Sequence, residues 1–343
     1  MLEIDGSEGE GGGQSVRTAV ALSALTGVDI HMTRIRENRP TRGLSRQHCT
    51  AVDGVARMSG SQVEGNQPGS RDLTFRPGDK RVDDLTLDVG SAGSISLVMQ
   101  ALLLASRFHI CGARMDITGG TNVMWAPPVD FYSQVLFPLL SRMGFEADMS
   151  IIERGFYPEG GGRVIVNVCP PREIKPLNIT ELGDFKRVEG ICYSRNLPGR
   201  VADDIISSAE ERLKDITADI SINREISEGR SSGAGISLVA VFENGRLGSS
   251  VLGSRGYPAA HVGRDAANDL LRELGSGSTM DVHAADQMLP YMALAEEECE
   301  FRVRKISKHL LSQMDILEKF LDVRFGVMRT RRGYQINVSP EAT

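Results

Sequence analysis

The residues with the clearest chemical potential open the chain: Gly9-Glu10-Gly11-Gly12-Gly13-Gln14 leads directly into a helical pattern. Bare backbone ahead of a helix N-terminus can wrap an anion, because unpartnered N–H groups point outward and no side chain blocks approach. The loop lacks the Lys-Ser/Thr of a P-loop and does not follow the GxGxxG dinucleotide order, so by itself it reads more readily as a flexible turn. Glu10 changes that balance. A carboxylate among glycines adds little structurally, yet it suits a divalent metal, Mg2+ or Mn2+, held on nucleotide phosphates. Gln14 and Arg17, one helical turn apart, would face the same place.

Arg34, Arg36, Arg39, Arg42 and Arg46 form a second signal within one loop and its flanks, opposed there only by Glu37 and without a lysine. The planar guanidinium fork suits bidentate phosphate binding, although a solvated basic loop is the plainer alternative. His309 opens the last strong helical pattern. A helix N-terminus disfavours positive charge, which predicts a lowered imidazole pKa and a neutral, nucleophilic ring. A lone histidine there also serves as a capping or packing residue. Asp286 and Asp130 are similarly open between function and N-capping.

The elements that must position these groups repeat. Strand 2–5, a glycine loop and helix 15–25 are followed by strand 28–35, helix 44–58 and strands near Val63 and Leu73. The same order returns as strand 85–89, loop 90–93, helix 94–106, strand 113–117, helix 129–143 behind Pro127-Pro128, and strands 147–153 and 163–169. A third copy is expected from a strand around Met280, helix 285–295, strand 300–304, helix 308–321 and strands 324–329 and 334–338. Three copies imply pseudo-threefold packing of sheets and helices. Gln14, Ser94 and Asp286 then fall at the first helix of each copy, and Gln47, Asp130 and His309 near the start of the second, so equivalent positions can converge on one cleft.

Residues 183–275 interrupt the repeat order and read as a small α/β domain inserted between the second and third copies. Its elements are strand 188–193, helix 201–214, strand 218–222, a hairpin of 236–242 with 247–251 around Asn244-Gly245, and helix 259–274. The large domain is expected to comprise 1–182 and 276–343. A chain of 343 residues, 41% hydrophobic and 24% charged, has enough apolar material for folded domains. Its net charge of −6 argues against coating nucleic acid with the whole surface and leaves room for a local basic cleft. The longest apolar run, 97–106, is too short for a membrane span and stops at Arg107 and His109. With no export signal at the N-terminus, a cytoplasmic protein is expected. Cys49, Cys111, Cys169, Cys192 and Cys299 are far apart, without a CxxC pair, and are read as reduced packing residues.

Taken in order, these blocks resemble the RNA 3'-terminal phosphate cyclases. The similarity runs from Asp5-Gly6 through the Gly9–Gln14 loop, Ile35-Arg36 with Arg39, and Gly43-Leu44 with Arg46-Gln47-His48. It continues in Gly90-Ser91-Ala92-Gly93-Ser94 with Gln100, Gly119-Gly120-Thr121-Asn122, and Ala126-Pro127-Pro128 with Asp130-Phe131. Gly155-Phe156-Tyr157-Pro158 with Gly160-Gly161-Gly162, Ala285-Asp286-Gln287 and His309-Leu310-Leu311 complete it. The resemblance implies an α/β fold: a large domain of three βαβαββ-type units, each akin to the C-terminal domain of translation initiation factor 3, with an inserted smaller α/β domain.

It also implies an ATP-dependent enzyme that converts an RNA 3'-terminal phosphate to a 2',3'-cyclic phosphodiester. In that mechanism His309 takes AMP from ATP, with Asp286, Arg17 and Arg39 as its catalytic partners and Glu10 on the divalent metal. Gln14, Arg36, Gln47, Gln100 and Gln287 would bind ATP and phosphate, with Asp286 supporting the nucleotide as well as His309. Pro127 and Phe131 would border the adenine, and His283 stands where some relatives carry a stacking tyrosine. Glu296, Glu297, Glu298 and Glu300 would oppose an RNA path unless they face solvent. The alternatives are a non-catalytic cyclase-like ribosome-assembly factor, which lacks the histidine, and an enolpyruvyl transferase, which needs no covalent nucleotide. The sequence leaves the oligomeric state open.

Overall fold

A computed structural model describes residues 1–108 and 112–341. His109 and Cys111 lie outside the described residues. The first unit consists of β1 (Leu2–Asp5), α1 (Gly13–Thr26), β2 (Ile30–Thr33), α2 (Arg46–Ser59), β3 (Gln62–Glu64) and β4 (Leu73–Arg76). The second follows with β5 (Asp84–Asp88), α3 (Ile95–Ala105), β6 (Ala113–Gly119), α4 (Val129–Phe131), a π turn (Tyr132–Leu136), α5 (Phe137–Arg142), β7 (Glu146–Glu153) and β8 (Gly162–Cys169). The third begins with β9 (Asn178–Ile179). An interposed segment follows, made of β10 (Phe185–Arg195), α6 (Arg200–Leu213), β11 (Ile220–Ser227), β12 (Gly233–Phe242), β13 (Arg246–Leu252) and α7 (Ala259–Ser276). The unit then resumes with α8 (Val282–Ala293), β14 (Cys299–Val303), α9 (Lys308–Phe320), β15 (Val323–Thr330) and β16 (Gly333–Pro340).

Three of the four sheets share one plan: β1-β2-β4-β3, β5-β6-β8-β7 and β9-β14-β16-β15. In each, the first two strands run parallel and the rest antiparallel. Parallel neighbours need a crossover, which a helix supplies. In the first two sheets both strands of the parallel pair, and in the third sheet β14, run at their C-terminal ends into helix N-termini at one edge, where bare backbone N–H groups and functional side chains can meet. The fourth sheet has another order, β11-β10-β12-β13, with its first strand inside.

The strand expected around Met280 does not exist; that residue lies in a bend before the N-cap Asp281. The third sheet takes its first strand from Asn178–Ile179, so the interposed segment splits the third unit between its first strand and first helix. A two-residue strand carries no periodicity, which hides it from sequence reading. The apolar interior falls into two clusters. One joins the three related sheets and their helices, and the other gathers Val188, Cys192, Ile205, Ile236 and Leu270. Cys192 and Cys299 are buried, but Cys169 is exposed rather than packed, because it points outward from the last position of β8.

The helix 129–142 widens into its π turn ahead of Pro138, whose missing N–H and bulky ring cannot continue the α ladder. The Gln134 carbonyl instead accepts from Arg246 Nη1 of β13 at 3.2 Å. A stronger tie is Arg154, nearly fully buried. It donates to Asp130 through both Nη atoms at 2.8 Å, and to Glu225 of β11 at 2.6 and 2.8 Å. Its guanidinium also sits 4.4 Å from the Tyr193 ring centre. Replacing Arg154 by Met would leave two carboxylates uncompensated, one of them buried. Urea denaturation followed by circular dichroism should show a loss of about 3–5 kcal/mol.

Candidate active site

The ends of the first and third sheets bring Glu10, Gln14 and His309 into contact. Gln14 is buried in the first turn of α1, and His309 is the second residue of α9. The His309 Nδ1–H donates to Gln14 Oε1 at 2.7 Å and sits against a Glu10 carboxylate oxygen, which also pairs it ionically. Glu10 in turn pairs with Arg39, and its backbone N–H donates to Ser312 Oγ of α9 at 2.8 Å. The glycines around it are a steric requirement. A Cβ on Gly9, at φ +59°, would lie 2.4 Å from Ser312 Oγ, and one on Gly13 would lie 1.8 Å from His48 Nε2.

The expected lowering of the His309 pKa is not what the structure gives. The Glu10 hydrogen bond raises it, with a further pull from the charges of Glu10 and Asp286, against burial and the Arg17 charge. Helix N-terminal repulsion loses to a carboxylate in contact. For Glu10, burial works upward, but the bonds to His309 and Arg39 outweigh it and hold the carboxyl below its usual value. Asp286, buried in α8, is pushed up to about 6 by burial. It accepts from Ser307 Oγ at 2.6 Å, and Ser307 Oγ accepts from the Leu310 N–H at 2.8 Å as the N-cap of α9. Asp286 therefore fixes the helix start that carries His309.

Arg17 is buried in α1, where burial draws its pKa down to about 10, and its Nε donates to Gln100 Oε1 at 2.7 Å. His48, between Arg17 and Arg36, is held neutral well below its ordinary value by burial and then by those charges. Its Nδ1 accepts from the Ser45 N–H at 3.0 Å. Gln47 Oε1 accepts from the Ser94 N–H at 2.9 Å, binding the first unit to the glycine loop of the second. The arginine loop is less free than its composition suggests. Arg34 pairs with Asp5 and Arg39 with Glu10, carboxylates from outside the loop, while Arg42 and Arg71 share Glu37. Arg36, at φ +55°, has the Gly43 carbonyl at 2.9 Å as its hydrogen-bond partner, so its charge stays open for an anion.

Ser96 and Tyr132 bridge Pro127 to Gln287 between the second and third units, and Phe131 packs edge-on against Tyr132. The Pro127 carbonyl accepts from Ser96 Oγ at 2.6 Å, Phe131 is buried, and Gln287 Oε1 accepts from the Tyr132 hydroxyl at 3.3 Å. His283 is exposed at the second position of α8. Asp130 is taken up by Arg154 and does not reach the His309 group, so its equivalent position in the repeat carries structure. Sequence reading passed over three groups. Ser307 was findable as a serine N-cap before the apolar helical face, whereas Ser312 and Arg154 carry no sequence signal. Among the described residues no helix is long and apolar enough to cross a membrane, and no three metal-ligating side chains gather.

A mixed α/β protein of three related sheets, with histidine, carboxylate, glutamine and arginine side chains meeting at the strand ends, defines the class: an enzyme built for anionic substrates. The model of the family described as RNA 3'-terminal phosphate cyclase matches residues 8–327. Curated relatives named RNA 3'-terminal phosphate cyclase include one from Caldivirga maquilingensis, 42% identical over 99% of this chain and 98% of the relative. One from Pyrococcus furiosus is 40% identical over 95% of both chains, and one from Nitrosospira multiformis is 38% identical over 99% and 97%. The chain belongs to the RNA 3'-terminal phosphate cyclase family of enzymes.

Because Glu10 is the main cause of the raised His309 pKa, Glu10→Gln should make the imidazole titrate at lower pH than in the wild type. Histidine nitrogen–proton correlation spectra of the ligand-free protein measure this directly, and an unmoved or rising midpoint would contradict it.

Proposed function

We propose that this protein spends ATP to close an RNA 3'-terminal phosphate into a 2',3'-cyclic phosphodiester, through adenylate bound covalently to His309. The single observation that carries this reading is the fixed imidazole. Its Nδ1–H is held by Gln14 Oε1 beside Glu10, and Nε2 has no protein partner among the described residues. Once neutral, such a ring presents the Nε2 lone pair outward as a nucleophile.

In the first step His309 Nε2 bonds to the α-phosphorus of ATP as the bond to pyrophosphate breaks. An oxygen of the RNA 3'-phosphate then attacks that phosphorus, the N–P bond breaks, and an RNA-adenylate forms. The 2'-hydroxyl attacks the activated 3'-phosphorus, loses its proton, and expels AMP. Arg17, Arg36 and Arg39, with Gln47 and Gln100, would bind phosphate oxygens, and Asp286 holds the start of α9 through Ser307. Pro127, Phe131, Gln287 and His283 would line the adenosine end.

The Glu10 carboxylate fits a Mg2+ or Mn2+ ion, since such ions use one or two carboxylates together with substrate phosphates and water. When bound, the metal would neutralise phosphate charge. Engaging Glu10 would also remove the main cause of the high His309 pKa and favour the neutral ring. The same reading takes 1–182 with 276–343 as the catalytic domain and 183–275 as an inserted domain, a division supported by the separate apolar cluster of β10–β13 and their helices. It places the enzyme in the cytoplasm.

Incubation with α-labelled ATP and metal should label the wild-type protein and leave His309→Ala unlabelled, with the adduct lost in acid and kept in alkali as a phosphoramidate is. Full labelling of His309→Ala would refute the covalent step.

A further inference from the structure

Positive charge is concentrated a second time, at the same edge of the third sheet but outside the His309 pocket. β14 ends at Val303, and the chain reaches His309 through Arg304, Lys305 and Lys308. The β15–β16 turn delivers Arg329, Arg331 and Arg332 to that edge. Arg329 lies opposite Tyr334, Tyr334 pairs with Val303, and a Cβ on Gly333 would stand 2.4 Å from the Val303 carbonyl oxygen. Between the turn and the end of α7 is a cavity of about 330 Å³, lined by Ser278, Arg302, Thr330, Arg331, Arg332 and Tyr334.

Arg304 has a carboxylate partner, Glu273 at 2.9 Å. Lys305, Lys308, Arg329, Arg331 and Arg332 are exposed and pair with no carboxylate among the described residues. Glu296, Glu297 and Glu298 are exposed at the opposite, N-terminal end of β14. The acids therefore face solvent away from the site, and charge along this one strand is segregated by end. In a chain of net charge −6, five unneutralised cations on two adjacent turns define a local attractive field for a polyanion. Arginine forks grip phosphate oxygens, and contacts to a phosphate backbone carry no base information.

We propose that the β15–β16 turn and the 304–308 segment together bind the RNA strand upstream of its reacting end. They would grip its backbone phosphates without sequence preference while the terminal phosphate lies near His309. The direction of the strand rests on the reading of His309 given above.

The test compares wild type, Arg331→Ala/Arg332→Ala and Arg331→Lys/Arg332→Lys by fluorescence anisotropy. The probes are a long single-stranded RNA and a trinucleotide, both 3'-phosphorylated, titrated over a salt series. The alanine pair should bind the long RNA roughly tenfold more weakly at low salt, and its log–log salt slope should fall by about 0.7 for each phosphate that the protein no longer neutralises. Trinucleotide affinity and labelling by α-labelled ATP should not change, and the lysine pair should keep most of the long-RNA affinity. Equal binding of the long RNA by wild type and the alanine pair overturns the proposal. So does a parallel loss of ATP labelling, which would mean that the turn supports the pocket instead. Absence of labelling in every protein, wild type included, would count against the adenylate reading and leave the long-RNA comparison decisive for this one.

Discussion

The contact between Gln14, Glu10 and His309 joins residues 295 positions apart and exists only because the first and third units meet edge to edge. Gln14 sets the tautomer by accepting from Nδ1, and Glu10 sets the charge. The glycines beside Glu10 are needed for the loop to pass Ser312 and His48, and the Ser307–Asp286 bond fixes the start of the helix that presents the ring. Most of the structure at that edge can be read as support for one hydrogen-bonded imidazole.

The same edge concentrates cations at a physical cost. Arg17 is fully desolvated, His48 is kept neutral between two guanidinium groups, and Arg36 is drawn down by burial and by Arg39. Such an arrangement is electrostatically unfavourable in the free protein, and an anion entering among these groups would relieve it. Glu10 moderates the repulsion in the free protein through Arg39 and His309.

Much of this was legible in residue order. The three units were visible because each repeats strand, helix, strand, helix and hairpin with clear periodicity, and the glycine loop, the arginines and His309 stood out by type and spacing. What escaped depended on contacts across the sequence. β9 was too short to show a pattern, and a strand was expected near Met280 in its place. The His309 pKa was read from its own helix, whereas the carboxylate that governs it comes from the opposite end of the chain. Asp5 and Glu10 as partners of the arginine loop, and Arg154 as partner of Asp130 and Glu225, were invisible for the same reason.

The two-residue strand that begins the third unit has a mechanical side. Glu300 opposite Asn178 and Phe301 opposite Ile179 set the register of β9, and the flanking Leu177 and Thr180 carbonyls accept from the Glu300 N–H and from Arg302. The polypeptide leaves the sheet there, traverses β10–β13 and their helices, and re-enters at Asp281, the cap of α8. Its departure is held further by the Leu182 and Asp184 carbonyls, which accept from the Asn244 and Glu243 N–H groups, and its return by the buried Asp281, which accepts from the Gly248 N–H at 2.9 Å. The excursion is thus stitched to the third sheet at both its exit and its re-entry, and the re-entry stitch sits in the same helix as Asp286, so whatever strains that join is felt beside the histidine.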